Sequence, residues 1–140
     1  MRHLIDRVLE LSEEEQVKIT PSDIPPGQGN EEELKALLES LQPRIRVYGA
    51  GGAGCNAVNR LAEEGLFDNS YVTGYAINTD AQALLMSPLD EKVLIGRTAR
   101  GRGAGGDPTK GEAAALESEM VLRRITNDTQ LAIITAGMGG

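Results

Sequence analysis

IRVYGAGGAGCNAVNRL, residues 45–61, runs a short apolar segment into a cluster of glycines and the cluster into a helical pattern. Ile45 to Tyr48 reads as a strand. Gly49 to Gly54 fits G-x-G-x-x-G and reads as a glycine loop. Asn56 to Glu64 reads as a helix carrying Val58, Leu61 and Ala62 on one side, with Gly65 closing it. Glycines between a strand and a helix let the backbone turn tightly and approach a phosphate closely. The helix start behind them offers unpaired N–H groups and the positive end of a dipole. The same residues would also serve as a tight strand-to-helix turn with no ligand.

Downstream the alternation repeats. Tyr71–Ile77 is a second strand, Ala81–Leu85 a short helical turn and Lys92–Ile95 a third strand. Thr109–Ile125 reads as one long helix. Gln130–Thr135 (QLAIIT) is a fourth strand, apolar enough to be expected under cover on both faces. Strands alternating with helices imply right-handed crossovers, and so an α/β fold: a Rossmann-like parallel sheet with helices on both faces. A sheet ending on an apolar fourth strand presents a long apolar edge, so the chain alone is expected to be marginal or to self-associate.

Each later strand runs into a further polar or glycine-rich segment. Asn78-Thr79-Asp80-Ala81-Gln82 follows the second strand, where an Asn/Asp pair can bond a ribose or order a metal-bound water, or simply form an Asx cap. Gly101-Arg102-Gly103-Ala104-Gly105-Gly106-Asp107-Pro108 follows the third, as an anion-cradling nest or a flexible loop, with Pro108 suited to the next helix's first turn. Thr135-Ala136-Gly137-Met138-Gly139-Gly140 follows the fourth, as a further loop or a frayed tail. Three Gly- or Asx-rich loops at the ends of the first three strands are much less expected by chance than any one of them. No G-x-x-x-x-G-K-[ST] occurs, so phosphate chemistry here is not of the Walker type.

Upstream the character changes. Residues 3–17 carry Leu4, Ile5, Val8, Leu9 and Leu11 at helical spacing, and TPSDIPPGQGN (20–30) reads as a linker. Asn30 looks like an N-cap, with Glu31, Glu32 and Glu33 in the first turn and Leu34, Leu37, Leu38 and Leu41 behind them, up to Pro43. The expected division is an N-terminal extension, 1–42 (helix, Pro/Gly linker, helix), and an α/β domain, 43–140.

Charge follows the same division. The chain of 140 residues carries 14 Lys+Arg against 21 Asp+Glu, net −7; residues 1–42 contribute −6 (10 acids, 4 bases) and 43–140 contribute −1. An acidic chain with 3% aromatic residues is no general nucleic-acid binder. One cysteine gives no internal disulfide and no Cys-based zinc site. No apolar run approaches the ~18 residues of a membrane span, and Met1 to Glu15 is no secretory signal, so a cytoplasmic protein with no membrane insertion is expected.

IRVYGAGGAGCNAVNRL, AINTDAQALL, GRGAGGDPTKGEAAALES and ITAGMGG together resemble the N-terminal half of the tubulin/FtsZ GTPase domain, in its bacterial cell-division branch, over residues 43–140. Residues 1–42 carry no family motif. The resemblance implies that Gly51, Gly52, Ala53, Gly54, Cys55 and Asn56 wrap GTP or GDP phosphates. It places Asn78, Asp80 and Ala81 near the nucleotide and its magnesium-bound water. It makes Ala104, Gly105, Gly106 and Asp107 a sensor of the γ-phosphate, and Gly137, Met138, Gly139 and Gly140 the start of the G-G-G-T-G-T-G signature. It also implies head-to-tail self-association into filaments, division-protein adaptors as partners and a place at the septum.

The sequence departs from that pattern in two ways. It stops inside the signature, so a truncated family member is expected, without the acidic catalytic loop and inactive on its own. Asp107 stands where Asn is common, and a carboxylate there repels a γ-phosphate unless magnesium or Lys110 offsets it. Two other readings remain: an NAD(P)-binding Rossmann domain, and a non-catalytic piece that caps filaments. Cys55 is read as a packing residue, His3 as a solvated one, and Arg100 and Arg102 either as phosphate-steering or as solvated loop charge. Arg123 and Arg124 suit a helix C-terminus.

Overall fold

A computed structural model describes residues 30–139. The expected helix over 3–17 and all of the 20–30 linker except Asn30 lie outside the described residues. The chain divides into two compact units, Met1–Gln42 and Pro43–Gly140.

In the first unit, α1 spans Glu31–Leu41. Asn30 starts it with a reciprocal capping box: its side chain accepts from the Glu33 N–H at 2.8 Å, and its own N–H donates to Glu33 Oε2 at 3.3 Å. Three glutamates in the first turn complement the helix dipole.

In the second unit the order is β1 (Ile45–Ala50), α2 (Gly51–Glu63), β2 (Val72–Asn78), α3 (Ala81–Leu85), β3 (Glu91–Leu94), a 3-10 turn (Arg97–Ala99), α4 (Pro108–Glu117), α5 (Glu119–Thr126) and β4 (Leu131–Ala136). The strands form one sheet in the order β3-β2-β1-β4, every pair parallel. β1 is paired along its whole length on both sides, Tyr48 lying between Tyr75 and Ile134. Strand order runs outward from β1 to β3, then jumps back across β1 to β4. That reversal is a topological switch point, and in open α/β sheets ligands bind at the carboxyl ends of the strands beside it.

Alternate side chains build two cores. On one face Val47, Val58, Val72, Ala76, Leu84 and Leu89 are buried, with Phe67 and Leu61 packed against them; α2 supplies Val58, which is fully buried. On the other face Tyr48 stacks on Tyr75 with ring centroids 5.2 Å apart, beside Val93 and Ile125. The Tyr48 hydroxyl lies 3.0 Å from the Ile125 carbonyl and 2.8 Å from Thr129 Oγ1, tying the end of α5 to the sheet.

Three local expectations are corrected. The glycine loop of residues 49–54 is not a loop: Gly49 and Ala50 belong to β1, and Gly51–Gly54 form the first turn of α2. The helix expected over Thr109–Ile125 breaks at Ser118 into α4 and α5. The Ser118 N–H turns to the Ala115 carbonyl, three residues back, and its side chain is engaged elsewhere. β4 is not covered on both faces, since it is an edge strand with Leu131, Ile133 and Ile134 exposed. Among the described residues no helix is long and apolar enough to cross a membrane.

Candidate functional site

Parallel strands deliver their carboxyl ends to one edge of the sheet, so the four segments singled out in the sequence follow one another there in the spatial order third, second, first, fourth.

The first is the start of α2. Ala50 precedes it with no side-chain cap, whereas Asn30, Asp80 and Asp107 cap α1, α3 and α4. The first-turn N–H groups of a helix have no partner within it, and here no side chain takes their place. The glycines of this turn divide into two kinds. A Cβ at Gly49 would lie 2.5 Å from the Gly54 carbonyl oxygen, and one at Gly54 would overlap the Thr135 carbonyl. These two are required by packing. A Cβ at Gly51 or Gly52 would meet nothing, so the front of the turn is open; Gly51 alone of these two has a positive φ, 72°. Asn56 lies further along α2 and is exposed.

Cys55 sits behind the turn, 4% exposed, its Sγ 3.5 Å from the carbonyls of Gly49 and Ile77. Burial pushes its thiol above the ordinary cysteine value, against the opposing pull of the Ile77 backbone and the Asn78 side chain. A protonated, buried thiol is a packing group rather than a nucleophile.

The second segment is a relay of caps. Asn78, buried at the end of β2, accepts the Asp80 N–H at 3.1 Å. Asp80 Oδ1 accepts from Gln82 and Ala83 at 2.9 and 3.2 Å and so starts α3. The Asx-cap alternative is thus what these side chains do locally, and it fixes them at the sheet edge.

The third segment is stitched to the second. The Ala81 N–H donates to the Gly101 carbonyl at 3.0 Å, the Gly103 N–H donates to the Thr79 carbonyl at 3.1 Å, and Asp80 and Arg102 form an antiparallel bridge. Ala81 therefore has its backbone donor engaged within the protein. Ala104 accepts the Asp107 N–H at 3.2 Å, and Gly105 and Gly106 follow it with φ of 63° and 75°. Space in front of Gly105 is open. Asp107 Oδ1 accepts the Thr109 N–H at 3.0 Å, with Pro108 next, so its carboxylate caps α4. Arg100 and Arg102 enter no ion pair among the described residues.

The fourth segment closes on the first: a Cβ at Gly137 would lie 2.7 Å from Ala53 Cβ. Met138 is exposed with φ 57°, Gly139 follows it, and Gly140 lies outside the described residues. First and fourth, and second and third, segments are thus in direct contact, and Cys55 behind the first reaches the Ile77 carbonyl in β2, one residue before the second. Sequence reasoning missed the connecting groups, namely the carbonyls of Thr79 and Thr135 and the Ser118 hydroxyl that accepts the Gly96 N–H at 3.1 Å. Backbone acceptors leave no signature in residue identity, and a serine inside a helical pattern gives little.

Among the described residues no three His, Cys, Asp or Glu side chains gather into a metal site. A groove of about 390 Å³ lies elsewhere, along α4 and α5 beside Leu116 and Leu122. What the strand-tip edge offers is a row of backbone donors on open glycines, which is chemistry suited to an anion.

Residues 44–140 match the model of the Tubulin/FtsZ family, GTPase domain. The chain is 41% identical over 141 residues to cell division protein FtsZ 1 of Pyrococcus horikoshii, and 43% identical to that of Pyrococcus furiosus. Each alignment covers 100% of this chain and 37% of the relative. Residues 1–42, which show no family motif, therefore fall within the stretch aligned to these relatives. Among solved structures, an FtsZ mutant from M. jannaschii superposes with TM-score 0.68 at 40% identity, over 86% of this chain and 33% of that one. An FtsZ dimer from M. jannaschii, described as empty, gives 0.64 at 38% identity, over 83% and 31%.

Proposed function

The chain belongs to the tubulin/FtsZ family, and from that premise we propose that its strand-tip edge is the phosphate-binding part of a GTP site in a cell-division GTPase. The observation that carries this reading is the contiguity of the four segments around the uncapped start of α2.

In this reading the phosphates of GTP or GDP lie against the N–H groups of Gly51, Gly52 and Ala53, and the dipole of α2 stabilises their charge. Gly54 and Cys55 set the turn from behind, and Asn56 borders it. Asn78, Asp80 and Ala81 fix the second loop. Ala104, Gly105, Gly106 and Asp107 face the distal phosphate, and Gly137, Met138, Gly139 and Gly140 lead toward the rest of the nucleotide. The chemistry these loops contribute to phosphoryl transfer is positioning and electrostatic stabilisation.

The donor set fits a magnesium ion held chiefly by phosphates and water, since Asp80 and Asp107 each lend one carboxylate oxygen to a helix cap and keep a second. Such an ion supplies charge neutralisation of the phosphates. The chain spans 37% of the length of these relatives; hydrolysis, head-to-tail filament assembly with its adaptors, and a place at the division septum are proposed for the protein as a whole.

Ligand-dependent melting of this chain tests the reading. GTP and GDP with magnesium should raise the melting temperature, and NAD should not. Stabilisation by NAD alone would favour a dinucleotide-binding domain instead, which the same G-x-G-x-x-G would allow.

A further inference from the structure

The third loop is fastened at its base by two side chains at the break between α4 and α5. Ser118, 8% exposed, accepts the Gly96 N–H at 3.1 Å. Glu117, the residue before it, takes both polar groups of Thr98: Oε2 accepts the Thr98 N–H at 3.2 Å, and Oε1 accepts the Thr98 hydroxyl. Gly96 itself has φ 75° and lies against α4, where a Cβ would meet Ala114 Cβ at 2.5 Å. The loop enters from β3 through these contacts, makes the 3-10 turn at Arg97–Ala99, is stitched to Thr79 and Ala81 by Gly103 and Gly101, and ends in the Asp107 cap. Its remaining free span, Ala104–Gly106, holds the open glycine.

We infer that Glu117 and Ser118 are positioning residues, which set where Ala104–Gly106 lies without touching a ligand. The helix break serves that end. A continuous helix through Ser118 would leave no irregular residue there to turn its hydroxyl to Gly96. Glu117 presents two acceptors to two donors of one residue, so it fixes both the backbone and the rotamer of Thr98. With the base fixed on one side and the Thr79–Ala81 strand end on the other, the span between them has little freedom. That matters for a loop proposed to contact the distal phosphate, since the donors must be placed before the anion arrives. The ligand-binding part of this inference rests on the function proposed above; the mechanical part does not.

The experiment separates the two. Amide hydrogen exchange is followed in the full chain and in Glu117→Ala, Glu117→Gln, Ser118→Ala and Thr98→Val. Loss of the clamp should speed exchange at least tenfold beyond Thr98 itself, at the Arg102, Gly103 and Asp107 amides, while those of β1 and β2 stay unchanged. Glu117→Gln, which keeps an acceptor, should recover part of the protection. The same variants should weaken binding of GTP more than that of GDP, by several-fold. If exchange changes only at Thr98, the positioning role is overturned whatever the nucleotide does. If the loop amides respond but the unmodified chain binds no GTP, the clamp stands and the proposed function falls. Should Glu117→Ala fail to fold, Thr98→Val removes the hydroxyl from the exposed side of the same contact and gives the deciding result.

Discussion

Gly54 and Thr135 stand backbone to backbone: no side chain fits at Gly54, because a Cβ there would overlap the Thr135 carbonyl. The start of α2 is thereby pressed onto the end of β4, and the first and fourth strand-tip segments become neighbours across the switch point of the sheet.

This contact predicts opposite outcomes for two neighbouring glycines. Gly54→Ala forces backbone apart and should cost about 2–3 kcal/mol of stability. Gly52→Ala has open space and an ordinary φ, so the chain should melt unchanged or gain up to about 1 kcal/mol from helix propensity. GTP binding should nonetheless fall at least tenfold in Gly52→Ala. Denaturant titration and calorimetric binding on both variants check this.

Asp107 gives a second contrast. Asp107→Ala removes the α4 cap and should cost about 1 kcal/mol. Asp107→Asn keeps the cap and removes the charge, so stability should hold while affinity for GTP, measured without magnesium, rises relative to GDP. Equal affinities before and after would place the carboxylate too far from the distal phosphate to matter.

Cys55 makes stability depend on alkaline pH. Its folded-state pKa is raised by burial, so the native state favours the neutral thiol. The stability this contributes is complete below the unfolded thiol pKa and is lost as pH rises through the folded value. Cys55→Ser should flatten that alkaline decline. Thiol alkylation at neutral pH should be slow in the native chain and fast in denaturant.

β4 predicts association. An edge strand with Leu131, Ile133 and Ile134 exposed offers both free backbone groups and apolar surface. Sedimentation of this chain should show concentration-dependent self-association, and Ile134→Lys should reduce it while leaving the monomer folded.

Much of this architecture could be read from residues alone, for identifiable reasons. Strand–helix alternation is written in the apolar runs around Val47, Ile77, Val93 and Ile133; the ends of β2, β3 and β4 lie within a residue of expectation, and β1 runs two residues further, to Ala50. Asn30 declared its cap by standing before three glutamates that suit a first turn, and the structure adds the reciprocal bond with Glu33. The errors have one character: tertiary contacts overruled local pattern. Gly51–Gly54 look unhelical by propensity, yet packing against Gly49 and Thr135 sets them as a helical turn. Ser118 sits in an unbroken helical periodicity, and only the Gly96 N–H, 22 residues away, calls for the break. QLAIIT reads as doubly covered, but apolar composition does not report which neighbours a strand has. The candidate site was legible as four glycine or Asx segments. Their stitching through the carbonyls of Thr79, Gly101 and Thr135 was not, because every residue type carries that group.

The central claim is that the open glycine front of α2 and the third loop grips the phosphates of a guanine nucleotide. Amide chemical shifts of this chain titrated with GTP and magnesium test it most directly. The account predicts that Gly51, Gly52, Ala53 and Gly105 shift together and saturably, and that NAD leaves them in place. Saturable shifts confined to other surfaces, such as the α4–α5 groove, or an equal response to NAD, would contradict it.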